Sequence, residues 1–387
     1  MNKKVLINVF LFFGLSLTPE VHAQQQTVDS LKISLSEGKM KDSYWNRLFN
    51  GNIDRTHEKK LDISFVAAPS YTREASFGIG GLASGLYRLN GTDSLMRPSN
   101  VSLSGNASVL GFYAINIYGN NYFKGNKSRL SYDIAFTTKP LDFWGISYEA
   151  CATNPVIDYT RRQIKIDADY VYEVVNDFHI GATLDFAYTN VTKIDDSSYL
   201  GGEKQSCTAT GLGISVQYDT RDFIPNPQRG VYLMFRETVF PEGLGNCDKT
   251  LFRSTFTADL YQKVWQGGIV AVDLYGRFNS EGAPWAMKEE LGNAYRMRGY
   301  YAGRYIDNNF ISCQLELRQH IIERFGCSAW FGGGTVFPSL NQLRWSHILP
   351  AYGLGLRWEF KRNVNARIDY GFGKQTGGFV FSLGEAF

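Results

Sequence analysis

Residues that could act as acid, base or nucleophile are few and scattered along this chain. Apart from His22, the histidines are His57, His179, His320 and His347. The sequence contains neither the Gly-x-Ser-x-Gly motif of a serine nucleophile nor the His-Glu-x-x-His motif of a zinc site. Glu316 precedes His320 by four residues, which on a strand separates the side chains by about 13 Å, too far for an acid–base pair. We therefore expect no enzyme, no catalytic residue, no cofactor and no bound metal.

Two acidic clusters are interpreted as ordinary surface features. Asp195 and Asp196 stand in a polar loop, but the regular ligand spacing of a calcium loop is absent, so a solvated loop is expected. Asp219, Arg221 and Asp222 follow a predicted strand, where we expect an ion-paired turn at the rim of the fold.

The five cysteines are widely spaced, with no Cys-x-x-Cys pair and no metal-ligand spacing. Their odd number leaves at least one without a partner in the same chain, and we interpret most of them as small residues in strands. They are Cys151, Cys207, Cys247, Cys313 and Cys327.

The stretch from Leu291 to Asn309 (LGNAYRMRGYYAGRYIDNN) combines arginines with aromatic rings. Its arginines are Arg296, Arg298 and Arg304, and its tyrosines are Tyr295, Tyr300, Tyr301 and Tyr305. Guanidinium groups stack on aromatic rings and pair with carboxylates, so this segment is expected to be anchored. It lies inside the longest predicted connection, from about residue 279 to 306, and such a loop in a compact fold is more often functional than idle.

The N-terminal region is typical of an export signal. Lys3 and Lys4 precede the apolar run from Val5 to Leu17, and a small-residue cleavage site ends at Ala23. The run is too short to span a bilayer as a helix, although a retained N-terminal anchor is the alternative. Residues 24–60 are polar and too short for a folded domain, so we predict a short periplasmic segment there.

The composition favours an outer-membrane β-barrel. Aromatic residues reach 15%, yet the mean hydropathy is only -0.23. Lipid-facing residues that alternate with polar inner residues, together with aromatic belts at both interfaces, explain both values. A secreted β-sandwich or propeller is the alternative on composition. The net charge of +3 is too small to indicate nucleic acid as a partner.

From Leu61 to Phe387 the pattern is strand, turn, strand. In Ala351 to Phe360 (AYGLGLRWEF), aromatic and aliphatic residues alternate with glycine, arginine and glutamate, as expected for a lipid face and a polar inner face. About 20 residues are available for each strand and its turn, which predicts sixteen antiparallel strands, with fourteen or eighteen as alternatives.

The segment Met297-Arg298-Gly299-Tyr300 resembles the Val-Arg-Gly-Phe/Tyr motif of the BamA/TamA superfamily, the bacterial surface antigen barrels that insert or translocate outer-membrane proteins. In that family the motif lies at the tip of the sixth extracellular loop, between strands eleven and twelve, where our strand count also places it. The resemblance extends over nearly the whole barrel. It includes Gly211 to Gly230, Asp307 to Ile321 and Pro69 to Leu89.

The resemblance implies a loop folded into the lumen, with its arginine paired to acidic residues of the inner wall. Glu316 matches the family's lumenal glutamate on the twelfth strand. The family usually has an aspartate on the thirteenth strand where Gly332 stands here, so Glu359 and Asp369 are the expected substitute partners of Arg298.

The last residues are similar to an outer-membrane targeting signal. Phe379, Phe381, Leu383 and Phe387 are predicted to share the lipid-facing side of the last strand. Glu385 interrupts this alternation, and near the periplasmic rim a charge on that side costs about 0–1 kcal/mol.

The resemblance implies a role in outer-membrane protein assembly or translocation. Because 37 residues cannot hold the periplasmic repeat domains of the family, we expect an accessory or divergent member. The alternatives are a channel or transporter plugged by the loop, and a structural partner subunit of an outer-membrane complex. The expected partners are membrane lipid and other outer-membrane or assembly-complex proteins.

Overall fold

The computed structural model describes residues 60–72, 76–89, 96–224, 226–245, 248–361 and 364–387. The predicted signal peptide, nearly all of the segment up to residue 60, and Cys247 lie outside these ranges. The export signal and the short periplasmic segment therefore stay predictions.

Sixteen antiparallel strands form one sheet in which each strand is hydrogen-bonded to its neighbours in chain order. Their bounds are β1 (Asp62–Thr72), β2 (Ser76–Tyr87), β3 (Ser99–Ser108), β4 (Tyr113–Tyr122), β5 (Ser128–Phe143), β6 (Ile157–Val175), β7 (Phe178–Ile194), β8 (Ser206–Asp219), β9 (Gly230–Phe240), β10 (Leu251–Trp265), β11 (Gly268–Asn279), β14 (Asn309–Ile322), β15 (Phe325–Phe337), β16 (Leu349–Lys361), β17 (Val364–Gly373) and β18 (Thr376–Leu383). The first and last strands contact each other. The predicted all-β fold with sixteen antiparallel strands is confirmed.

The two faces of the sheet differ as the alternation predicts. On β16 the outer residues Tyr352, Leu354 and Leu356 are 51%, 65% and 65% exposed, whereas Arg357 on the inner face is 5% exposed at its side chain. This exposed apolar surface with a buried charged surface is the reverse of a soluble sheet, and it suits lipid outside and a polar interior.

Long connections lie at one end of the strands. Residues 144–156 carry a short helix α1 (Tyr148–Thr153), and residues 280–308, which we call the long loop, carry the two-stranded hairpin of β12 (Glu289–Leu291) and β13 (Tyr305–Asp307). At the opposite end, three of the turns whose residues the structure describes have only two residues, at 176–177, 266–267 and 323–324. In the part of the chain that the structure describes, no helix is long and apolar enough to cross a membrane.

The helix α1 and the long loop pack on each other as a cap. Ser147 N donates to Ile306 O at 2.8 Å, and Tyr148 N donates to Asp307 Oδ2 at 3.2 Å. Side chains from the cap and the barrel wall form one buried apolar cluster, in which Phe143, Leu291 and Val336 are at most 1% exposed. The cap is therefore held by packing as well as by hydrogen bonds, and it fixes both ends of the long loop.

Candidate functional site

The long loop meets the barrel wall backbone to backbone. Gly299 has φ +100°, and a Cβ added to it would lie 2.4 Å from the carbonyl carbon of Gly371 in β17. A Cβ on Gly371 would in turn lie 2.3 Å from Arg298 O. Only glycine permits both the backbone conformation at residue 299 and this approach. The contact brings residue 298 directly onto the inner face of β17.

Arg298 is fully buried and contacts three strands. Its Nη2 lies 2.6 Å from Glu316 Oε2 in β14, and its Nη1 lies 2.9 Å from Asp369 Oδ2 in β17. Its guanidinium carbon lies 3.7 Å from the ring centroid of Trp330 in β15, a cation–π contact in a desolvated setting. This geometry binds the loop to the wall by charge, hydrogen bonding and stacking together.

The pair of Arg298 and Glu316 belongs to a larger ionic cluster, which we call the arginine cluster. It contains four arginines and three carboxylates, so one positive charge is in excess: Arg298, Arg318, Arg357, Arg367, Glu316, Asp369 and Glu385. Glu316 and Asp369 each contact three of the arginines. Because each buried charge depends on its neighbours, loss of one partner is strongly destabilising.

Only some of the expected partners of Arg298 contact it. The structure brings Glu316 and Asp369 to it but not Glu359, which stands four residues, or about 13 Å, beyond the Asp369 level of the sheet. The backbone of Glu359 instead bonds Arg324 in the turn before β15. Gly332 stands opposite Gln314, whose Oε1 is 3.4 Å from Arg298 Nη2. An amide thus supplies part of what an aspartate would provide.

The residues beside Arg298 in the motif are also buried. Met297 is 3% and Tyr300 is 6% exposed. Tyr300 Oη donates to Pro350 O at 2.7 Å and accepts from Lys374 N at 2.8 Å. It therefore links the loop to the start of β16 and to the turn that follows β17. Burial raises the pKa of Tyr300 to about 12, which keeps its hydroxyl protonated.

The other two arginines of the loop have partners of their own. Arg296 Nη2 lies 2.6 Å from Asp273 Oδ1 in β11, and its guanidinium stacks 3.9 Å from the ring centroid of Tyr275. Arg304 donates to Cys151 O in α1 and stacks on Trp144 and Tyr305. The sequence did not single out Asp273 or Trp330, although their inward position in the alternation was a usable signal.

The predicted end of the last strand is wrong. β18 stops at Leu383, whose side chain lies outside the described part, and Gly384, with φ +76°, turns the chain away from the strand direction. Phe379 and Phe381, 46% and 42% exposed, do lie on the outer face. Phe387 does not join them, since its main-chain oxygen accepts from Arg318 Nη2 at 2.9 Å on the inner side.

Glu385 turns inward for an electrostatic reason. It is 7% exposed and its Oε2 accepts from Arg357 Nε at 2.9 Å, while Asn365 Nδ2 donates to its Oε1 at 2.6 Å. On the outer face this carboxylate would be unpaired, whereas the inner wall holds an excess of arginine. Its expected place on the lipid-facing side is therefore corrected.

The remaining candidate residues lie apart from this site. At the end of β8, the two carboxylate oxygens of Asp219 accept from Nε and Nη2 of Arg221, both at 2.8 Å, in the ion-paired turn that was expected. Hydrogen bonds from the side chain and then the backbone N–H of Ser198 lower the pKa of Asp196, which caps a short 3₁₀ turn. Cys151, Cys313 and Cys327 are free thiols, and Cys207 is buried. Within the described residues, no group of His, Cys, Asp and Glu side chains is placed to hold a metal ion.

Comparisons with known proteins give this geometry a context. The chain superimposes on BamA from Haemophilus ducreyi lacking POTRA domains 1–3 with a TM-score of 0.54 at 11% identity, over 84% of this chain and 70% of that one. It superimposes on CdiB from Escherichia coli with a TM-score of 0.55 at 12% identity, and on CdiB from Acinetobacter baumannii with 0.54 at 12%. Each match covers 84% of this chain, but only 63% and 60% of the respective CdiB chains.

At these identities the superpositions establish the shared barrel fold, and no curated protein matches the sequence. A sequence match assigns the family, since residues 97–387 match the Omp85 superfamily domain. The BamA/TamA superfamily that the loop motif indicated is thereby confirmed, and the chain belongs to the Omp85 superfamily.

Proposed function

We propose that this barrel acts in the assembly or translocation of outer-membrane proteins, as an accessory or divergent member of its superfamily. The observation that supports this most directly is the junction of the first and last strands. Among the described residues, the hydrogen-bonded order of the sheet begins at β1 and ends at β18, and the two strands contact each other. Strand edges with unpaired backbone groups can accept a strand of another chain.

Both sides of this junction are rich in glycine. β2, the partner of β1, contains Gly78, Gly80, Gly81 and Gly85, and β18 contains Gly377 and Gly378. Glycine adds no side-chain packing and weakens a strand. These glycines therefore support opening of the sheet near the junction of β1 and β18.

Site-specific photo-crosslinking in cells tests the proposal. A photoreactive residue replaces Phe65 in β1 or Phe381 in β18, and Leu356 in β16 serves as the control because it is also exposed on the outer face, to 65%. We expect nascent outer-membrane proteins to be captured from the two junction positions and not from Leu356. Equal capture at all three, or capture of none, contradicts the proposal. A native pull-down from outer membranes then identifies stable partners.

A loop-plugged channel is the second candidate, because part of the interior is open. A cavity of about 240 Å³ lies against β4–β6. A second of the same size, lined also by Tyr300 of the long loop, shares Phe112 and Lys139 with it. In planar bilayers we expect low conductance for the native chain and higher conductance for Arg298→Ala. Unchanged conductance would exclude the plugged channel. If the crosslinking experiment also captures no nascent outer-membrane protein, the role as a structural subunit is left.

The proposed function also requires a cellular location in the outer membrane. We infer that residues 1–23 direct export and are removed after Ala23, and that the barrel resides in the outer membrane of a Gram-negative cell. The outward apolar face of β16 supports residence in lipid. N-terminal sequencing of protein purified from outer membranes checks the cleavage site, and a retained N-terminus would contradict it.

A further inference from the structure

The connection between β15 and β16, residues 338–348, presents large apolar side chains to the surroundings. We call it the rim loop. Trp345 is 81% exposed, Leu340 is 68% exposed and Ile348 is 40% exposed. One exposed apolar side chain is ordinary, but three in one short loop, one of them a tryptophan, form a patch that requires an explanation.

The patch continues the outer apolar surface of the barrel. A Cβ on Gly333 of β15 would lie 3.0 Å from Ile348 Cγ2, so Ile348 lies against this glycine. Gly333 belongs to the outer face, because it stands between Cys313 and Pro350 in the register and both are exposed. The outer surface of these strands includes Phe331, 63% exposed. The rim loop therefore extends the lipid-facing surface past the strand ends.

The opposite side of the rim loop is fixed to the cap. The His347 ring stacks on Tyr148 of α1 with centroids 4.0 Å apart and an angle of 6° between the planes. Tyr148 stacks in turn on Tyr305 of β13 at 5.0 Å. Residues 345–347 form a 3₁₀ turn, in which neighbouring side chains point in different directions. With His347 held against the cap, Trp345 remains exposed.

We propose that the rim loop is a membrane-surface anchor, in which Trp345, Leu340 and Ile348 enter the interfacial layer of lipid beside β15 and β16. Lipid is the occupant because the patch is continuous with a surface that lipid covers. Tryptophan is enriched at this depth, where its ring is in apolar surroundings and its N–H stays near polar groups. Arg344, next to Trp345, lies 3.8 Å from Glu149 Oε1 of α1 through its Nη1 and so adds a second contact between the rim loop and the cap. Through His347 and Tyr148, the anchor ties the cap to the membrane surface.

Fluorescence in brominated lipid tests this anchor. The full chain is reconstituted in phosphatidylcholine vesicles with bromine placed shallow in the acyl chains, since bromine quenches tryptophan on contact. The emission of Trp345 is the difference between the native chain and Trp345→Phe. We expect this emission to be lost in brominated vesicles and retained in the same lipid without bromine.

Two matched substitutions calibrate the measurement. Trp358→Phe removes a tryptophan on the outer face of β16, whose emission should also be quenched by bromine. Trp285→Phe removes a ring in the long loop that is 4% exposed, whose emission should be insensitive to bromine. Trp345 emission that survives in brominated vesicles and is quenched by aqueous iodide would place this side chain in water. That result overturns the anchor and points to a protein partner for the patch, whether or not the assembly role holds.

Discussion

The two sides of the barrel interior use charge in different ways. On the side of β14–β17, Arg298, Glu316 and Asp369 have side chains that are 0% exposed, because the long loop covers them. On the side of β5–β6, Asp133 and Lys165 also face inward, yet both are exposed. Charged residues thus bind the long loop on the wall of β14–β17, whereas Asp133 and Lys165 on the wall of β5–β6 are exposed to solvent.

The difference shows that burial by the loop, rather than the presence of charge on the wall, shields the ionic contacts from water. The loop excludes water from the arginine cluster, and ionic contacts are strengthened where water is absent. On the opposite wall the side chain of Asp167 is 41% exposed although it pairs with Arg236 at 2.7 Å, so solvent weakens that pair. We call the wall of β14–β17 around the arginine cluster, which the loop covers, the cemented side. We call the inward charged residues of β5 and β6 that water reaches the hydrated side.

The sharpest test of this contrast removes one negative charge from the cemented side. Glu316→Gln keeps the shape of the side chain but deprives three arginines of their shared carboxylate. We expect the free energy of unfolding to fall by about 3–5 kcal/mol, as for other broken buried ion pairs. Equilibrium unfolding in urea from lipid vesicles measures the change.

The matched control removes a carboxylate from the hydrated side. Asp133→Asn changes the same kind of charge on an inward but exposed side chain. We expect a change within about 0.5 kcal/mol, because exposed substitutions usually cost no more. If Asp133→Asn destabilises the barrel as much as Glu316→Gln, the division into two sides is wrong.

A second test lifts the loop by sterics instead of charge. Gly371 and Gly378 are direct neighbours across β17 and β18, but only Gly371 contacts the loop backbone. Gly371→Ala should cost about 1–3 kcal/mol, as overpacking does, and should increase protease cleavage in the long loop. Gly378→Ala, with nothing within 4 Å of its added Cβ, should leave both properties unchanged. If the two variants have equal effects, the contact between Gly371 and the loop backbone does not contribute to stability, and the prediction is wrong.

The last prediction concerns the pH dependence of the ion pair at the base of the long loop. Burial raises the pKa of Glu290, but the guanidinium of Arg161 outweighs it and holds this pKa at about 2. The stabilisation is then complete above the unfolded-state pKa of about 4.3 and is lost as the pH falls toward 2. The difference in unfolding midpoint between the native chain and Glu290→Gln should be constant from neutral pH to about pH 5 and should shrink below it. A difference that grows with acidification would contradict this assignment.

Much of the fold could be predicted because strand alternation is a local property. The predicted long connection falls between β11 and β14. Strand ends were less predictable. The sequence predicts that the last strand reaches Phe387, because an aromatic residue stands there on the apolar side of the pattern. The inward turn after Leu383 instead depends on arginines of β14 and β16 that only the folded barrel places nearby.

By itself, the sequence determined the sixteen strands, their two faces, the place of the arginine-tyrosine loop and the family. These follow from the period of two along each strand and from a motif within a few residues. Only the tertiary structure decided that Arg298 meets Glu316 and Asp369 but not Glu359, and that Glu385 completes the arginine cluster. Arg298 and Asp369 are 71 positions apart in the chain, so their meeting depends on sheet register and on the path of the loop. Sequence alternation places a side chain on a face, and long-range packing decides which partner it meets there.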